Sequence, residues 1–396
     1  MTKSDYYSIE SWTPSIKKYA DVITKKTKNK SSKKTPNLKT VDLSNEGLKT
    51  RDVYALLNSK LDTSPNGFMT RLQGNRMPLD SLWWWDFTFE SDIGCISILR
   101  GNTSFEAQLF LDDQTFDVIK FLKKNIKIYK NTIEETIGTY ELHKTYINHY
   151  QSYKTTTQHL YDKIQALNLT KPHVPTHHNT SSKHVEKFVE ELQAYTLNSV
   201  EYHALGKSLL LHSAFMAENF INLLIRVGAS SHLREQRHLL NLHLSSNFKT
   251  KLQNLNTLCQ YTTAEVDMNN DSVKSILDLM TMRNKYVHGD ESSQLNRLED
   301  IYFDKAYPLL DLSSNHIAIN NIQNTYHNPP KEKVEEAYRS ANDFINYITS
   351  LIHPNAREQV VLALEQNPIG YNTKTFKYSA VYPQAMAFGM PVFSED

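Results

Sequence analysis

The sequence predicts a mainly α-helical protein, in which a C-terminal helical bundle follows an α+β N-terminal region with a small antiparallel meander and a long helix. Three observations lead there. Segments 184–204, 206–227, 247–260, 271–288 and 331–352 all carry apolar residues at helical spacing. Short runs rich in aromatic and β-branched residues cluster between residues 80 and 111, punctuated by Gly94 and by Gly101-Asn102. A polar stretch with two prolines, residues 171–183, separates the two kinds of pattern.

A chain of 396 residues suggests about two domains. Residues 1–45 are rich in Lys, Ser and Thr and read as a basic arm or an edge element. Nine lysines crowd the segment from Lys17 to Lys39, enough to bind phosphate through counterion release or simply to be solvated. Residues 46–170 form the expected α+β domain. Within it LWWWDFTFE, GCISIL and SFEAQLFL predict three antiparallel strands. Alternation sends Trp84 to one face and Trp83 and Trp85 to the other, so packing against a helix is favoured over base stacking. From Gln114 to about Leu167 the pattern predicts long helix with a thin apolar stripe.

The domain boundary is placed in the 171–183 linker. His173, His177, His178 and His184 invite a metal reading, but no carboxylate or thiol lies among them, so no metal site is expected. Residues 184–352 then supply four to five helices, a bundle. Gly228 and Gly289 stand where C-terminal caps are expected, and Pro329-Pro330 precedes the last helix. The tail, residues 353–396, reads as irregular chain packed across the bundle surface.

Composition narrows the function classes. Net charge is +1, with 39% hydrophobic and 22% charged residues, so no global basic field announces a nucleic-acid partner. No uninterrupted run of about eighteen apolar residues occurs, so no membrane span is expected. The N-terminus lacks the basic-then-apolar layout of a signal peptide. Cys95 and Cys259 alone make neither a disulfide framework nor a zinc site, and a reducing, cytoplasmic compartment is expected.

The chemistry concentrates in SILDLMTMRNKYVHGD, residues 275–290. Ile276, Leu279, Met280 and Val287 share one helical face, and Arg283 falls on it. A guanidinium keeps its charge and is costly to bury without an anion, so Arg283 either pairs with a carboxylate or faces a cleft that receives one. His288 follows five positions on. On a straight helix that spacing puts the two side chains roughly 140° apart and about 7.5 Å along the axis. Convergence therefore needs either a helix end at His288, with Gly289 as the break, or two copies of the segment facing each other across a dimer.

The segment resembles the HEPN superfamily (higher eukaryotes and prokaryotes nucleotide-binding domain), whose ribonuclease members carry Arg, four to six residues, then His. Arg283-Asn284-Lys285-Tyr286-Val287-His288 carries the resemblance, with the polar Asn284 directly after the arginine. Arg226…His232 and Arg237…His243 also fall within the four-to-six-residue spacing but have no Asn after the Arg and less helical context. The resemblance covers roughly residues 184–352. It implies a homodimerising bundle that cleaves RNA without metal or cofactor, commonly as a toxin or anti-phage effector. Catalytic roles would then fall to Arg283, Asn284 and His288, with a regulatory partner for the N-terminal half. Glu218 and Asn222 support it: they lie four apart inside the nearly apolar segment 209–228, and a carboxylate there needs a partner, for which Arg283 is the candidate. Two alternatives remain open. The bundle is a non-catalytic scaffold or a nucleotide- or RNA-binding protein, or Arg283 is a structural arginine with His288 as a surface group favoured by the helix dipole.

Overall fold

A computed structural model describes residues 9–15, 20, 39–61, 65, 83–91, 94–101, 104–111, 115–175, 181–288, 302–309 and 317–381. The chain is mostly helical, with a five-stranded antiparallel sheet near the N-terminus. It divides into two compact units, one within Met1–Glu141 and one within Leu142–Ala387.

The first unit contains β1 (Thr13–Pro14), β2 (Lys39–Asp42), α1 (Thr50–Leu61), β3 (Trp83–Ser91), β4 (Gly94–Gly101), β5 (Phe105–Leu111), α2 (Val118–Ile128) and α3 (Lys130–Thr139). The sheet order is β1-β3-β4-β5-β2, so the three expected strands form its centre. Both edges come from the first 45 residues: Thr13 and Pro14 pair with Glu90 and Phe89, and Lys39–Asp42 pairs with Glu106–Leu109. Part of the expected arm is thus an edge element, and Pro14 suits an edge because it cannot donate to a ladder. Lys39 opens β2; the lysines from Lys17 to Lys34 lie outside the described residues. One sheet face carries Phe87, Phe89, Ile96, Ile98, Phe105, Ala107 and Leu109, all buried in one cluster with Val53, Leu56 and Leu57 of α1 and Phe121 and Leu122 of α2. Trp85 is half-buried and meets Tyr54, Phe87 and Phe105 edge-on, which is the packing role rather than base stacking. The side chains of Trp83 and Trp84 lie outside the described residues.

The long helix expected over 114–167 is instead three helices and a strand. Asp117 caps α2 by accepting from the Ile119 and Lys120 amides, and these bonds, Lys120 first, hold its carboxyl below the usual range. Extended backbone at Tyr140 ends α3. After β6 (His143–Tyr146), Asn148 caps α4 (His149–Ala166) through the Gln151 amide. The side-chain amide of Asn148 also donates to the carbonyls of Leu364 (2.6 Å) and Gln366 (2.8 Å), which ties the start of α4 to the chain's C-terminal part.

The second unit is organised by α5 (Ser182–Gly228), 47 residues long and continuous where two helical segments were expected. It is long and apolar enough by composition to cross a membrane, yet most of its apolar window is buried inside the fold. Following it are α6 (Ser231–Glu235), α7 (Arg237–Ser245), α8 (Phe248–Gln253), α9 (Leu255–Leu258), α10 (Asp271–His288), β7 (Tyr302–Asp304), β8 (Tyr307–Leu309), α11 (Ile317–Tyr326), α12 (Lys331–Ser350), α13 (Pro354–Glu365), β9 (Ile369–Asn372) and β10 (Tyr378–Ser379). Tyr150 meets Phe220 while Ile164 packs with Tyr202 and Leu209, so α4 runs antiparallel to α5. α10 and α12 also pack on α5, through Ile276, Leu279, Ala337, Ala341 and Phe344.

Two boundaries therefore differ from expectation. The units divide after Glu141, not in the 171–183 stretch, because α4 buries Tyr150 and Ile164 against α5, which begins at Ser182 within the end of that stretch. The linker is a helix–helix connection inside one unit. The tail is not wholly irregular either: α13 buries Val360, Ala363 and Leu364, and β9 pairs with both β6 and β10.

Gly228 does not act as a left-handed cap, since Ala229 takes the C-cap position and Gly228 remains helical. Its reason is space: a Cβ there would collide with the buried Sγ of Cys259. Gly228→Ala is expected to lower stability by about 1–3 kcal/mol through overpacking. Adding Cys259→Ala should return part of that loss. Urea denaturation of both variants checks this, and a double variant no more stable than Gly228→Ala would remove the explanation.

Candidate functional site

Glu218, Asn222 and Arg226 follow one another at four-residue spacing and so form one ridge along the last turns of α5. The surrounding residues are apolar because the other faces of α5 fill the core: Ala217, Phe220, Ile221, Leu224 and Ile225 are all buried. Glu218 receives two cations from two different helices. The Nη2 of Arg283, on α10, donates to one carboxylate oxygen at 3.1 Å, and the Nζ of Lys251, on α8, lies 3.7 Å from the other.

Lys251 is the most constrained of these groups. Its side chain is 2% exposed, and it donates to the Asn222 Oδ1 at 2.9 Å. Burial pushes its ammonium below the ordinary lysine value; Glu218 pulls it partly back, and Arg226 and Arg283 add to the lowering. An ammonium has donors only, so the bond also fixes the Asn222 amide, with oxygen toward Lys251 and NH2 away from it.

Arg283 is half-buried, with its guanidinium carbon 5.4 Å from the Phe215 ring centre. Only its Nη2 engages Glu218. The buried Nε has no acceptor among the described residues. Arg226 is similar: its buried Nε is unpaired, no carboxylate among the described residues lies within ion-pair distance, and its guanidinium sits 5.7 Å from the Tyr378 ring centre. Two cations thus share one carboxylate, Arg226 stands further along the same ridge with none, and the cluster carries a positive surplus.

Of the sequence-derived site residues, Glu218 and Arg283 are brought together as expected, and Asn222 joins them through Lys251. Asn284 is exposed, about 100° around α10 from Arg283, and does not join the pair. His288 is the last residue of α10; its side chain and Gly289 lie outside the described residues. Val287 is 53% exposed although it continues the face of Ile276 and Met280, while Tyr286 beside it packs half-buried against the core. Lys251 and Arg226 were not singled out as site residues. Lys251 had a legible signal, since in FKTKLQNL it lies between Phe248 and Leu255 on the face those residues bury.

A cavity of about 600 Å³ opens one turn along the ridge from Glu218, with Asn219, Asn222, Leu223 and Arg226 on one wall and Tyr146, His149 and Tyr378 among the residues opposite. His177 and His178 of the suggested metal cluster lie outside the described residues. His173 is near the start of α5, where its amide donates to Glu191.

Fold and site together define a class: a helical bundle with a buried, net-cationic polar cluster on its longest helix. The chain matches no known family model, no curated protein and no solved structure at a significant level.

Proposed function

We propose that the second unit is a HEPN-like, metal-independent endoribonuclease whose site comprises Arg283, Asn284 and His288, with Glu218 holding Arg283. The observation that carries this reading is the guanidinium of Arg283. It lies on the last turns of a bundle helix, is bound by its carboxylate through one nitrogen only, and belongs to a cluster with surplus positive charge. Such a group offers further donors to a phosphate.

RNA carries its own nucleophile. One imidazole takes the proton from the 2′-hydroxyl as the 2′-oxygen forms a bond to phosphorus. The bond to the 5′-oxygen breaks, and a second imidazole returns a proton to that leaving oxygen. Products are a 2′,3′-cyclic phosphate and a 5′-hydroxyl. Arg283 stabilises the charge that grows on the phosphorane oxygens. Asn284, one position along and exposed, is free to orient the phosphate. Two imidazoles at one phosphate require two protomers, and the exposed Val287 beside His288 offers apolar surface for that contact. A toxin or defence role, with the first unit binding a trigger or partner, follows from the same resemblance.

The Arg283–Glu218 pair also favours the second reading, a non-catalytic helical scaffold, because a paired arginine can be purely structural. One assay separates the two. Purified protein is incubated with mixed RNA in EDTA and the product ends are analysed; cyclic phosphate ends are expected, and intact RNA across salt and pH conditions leaves the scaffold.

A further inference from the structure

The cavity beside Arg226 is unused by this chemistry. We propose that it is a binding site for a phosphate monoester, whose phosphate is held by Arg226 and Asn222 and whose ring or sugar lies against Tyr146 and Tyr378.

The first observation is an unneutralised charge. Arg226 is half-buried in the last turn of α5, its Nε has no acceptor, and no carboxylate among the described residues reaches it. A guanidinium cannot discard its proton, so removal from water without an anion is costly unless a ligand supplies one. Its forked donors suit a dianionic phosphate, which carries about 1.5 to 2 negative charges near neutral pH.

The second observation is the orientation of Asn222. Because Lys251 holds its oxygen at 2.9 Å, the amide turns donors away from the lysine, and the residue lines the cavity. Lys251 behind it adds positive potential and no hydrogen-bond competition. Asn219 lines the same wall; one N–H of its amide donates to the Phe215 carbonyl at 2.9 Å, and its oxygen can accept from a hydroxyl or ring N–H. The opposite wall includes the first residues of α4, where the dipole also favours an anion.

The third observation is the rim. Tyr146 and Tyr378 belong to the β10-β9-β6 sheet, and Tyr371 braces both, at 6.2 Å and 4.9 Å between ring centres. Tyr146 is nonetheless exposed. Flat, preorganised rings above a phosphate site suit a ligand with a planar ring or a sugar. A volume of about 600 Å³ admits a ligand of nucleoside monophosphate size. The site needs neither Arg283 nor His288 and stands whether or not RNA is cut.

Calorimetric titration of the full chain with AMP, inorganic phosphate and adenosine tests the proposal. AMP is expected to bind, phosphate to bind more weakly, and adenosine not to bind. Arg226→Met, which keeps the length and removes the charge, should weaken AMP by at least about tenfold. Tyr146→Ala, at an exposed position, should weaken AMP about three- to tenfold and leave phosphate unchanged. Should Arg226→Met fail to fold by circular dichroism, Asn222→Asp serves instead: it keeps a partner for Lys251 and turns a carboxylate toward the phosphate. Wild-type protein that binds neither AMP nor phosphate overturns the proposal, as does unchanged AMP affinity in the Arg226 or Asn222 variant. Competition between AMP and a 5′-phosphorylated oligoribonucleotide assigns the monoester to a strand end; AMP binding that the oligonucleotide does not displace assigns it to a free small molecule.

Discussion

His288→Ala is expected to lower RNA cleavage about 10²–10⁴-fold, the range for removing a general acid or base. Arg283→Ala should cost about 10²–10³-fold, because a preorganised donor to the phosphorane is lost. The double variant should fall little below the worse single one, since residues that act as a unit are not additive. Single-turnover cleavage of a labelled RNA in EDTA measures all three. The two single variants differ in a useful way. His288 is the last residue of α10, about two turns past Met280, the last fully buried residue of that helix. Arg283→Ala removes one of the two cations on Glu218, so thermal unfolding must accompany its rate. A His288→Ala protein that cuts at the wild-type rate eliminates the nuclease reading, whatever Arg283→Ala does.

Legibility followed the reach of each interaction. The meander was visible because β3, β4 and β5 follow one another closely in sequence and pair with their sequence neighbours. The two edge strands were not, because Lys39–Asp42 finds its place only by pairing with Glu106–Leu109, some 65 residues on. Helical spacing identified α5, α10 and α12, and Glu218 inside an apolar segment pointed to Arg283 because a buried carboxylate admits few partners. The same spacing overran at 114–167, where a thin apolar stripe hid the breaks at Tyr140 and Asn148. It also misplaced the domain boundary. Two prolines and many polar residues mark a loop, but only the contacts of Tyr150 and Ile164 reveal that α4 belongs with the helix beyond that loop. Lys251 was overlooked because lysine is ordinarily solvated; its position between Phe248 and Leu255 carried more weight than its type.

Glu218→Gln is expected to destabilise the second unit by about 2–4 kcal/mol, the largest stability effect of any single substitution in the cluster. Lys251 is 2% exposed and Arg283 21%, and Glu218 is the one carboxylate paired with either among the described residues. The glutamine keeps the volume and removes the charge, which leaves a buried ammonium facing two guanidinium groups. The partial exposure of Glu218, 28%, keeps the value below that of a fully buried pair. Two consequences distinguish this from simple loss of packing. In a Lys251→Met background the same substitution should cost much less, because the buried charge is gone, and the difference in a double-mutant cycle reports the coupling. The pH dependence has a definite sign. Burial lowers the Lys251 pKa in the folded chain, so between the folded value and the ordinary 10.5 the unfolded chain binds more protons. Stability contributed by this group therefore rises with pH in that window. Without Glu218 the folded value drops further, the window widens, and the deficit of Glu218→Gln relative to wild type should shrink as pH is raised from 7 toward 10. Urea titrations at several pH values measure this; a deficit that is constant or grows would mean that Lys251 is not the group left exposed to the lost charge.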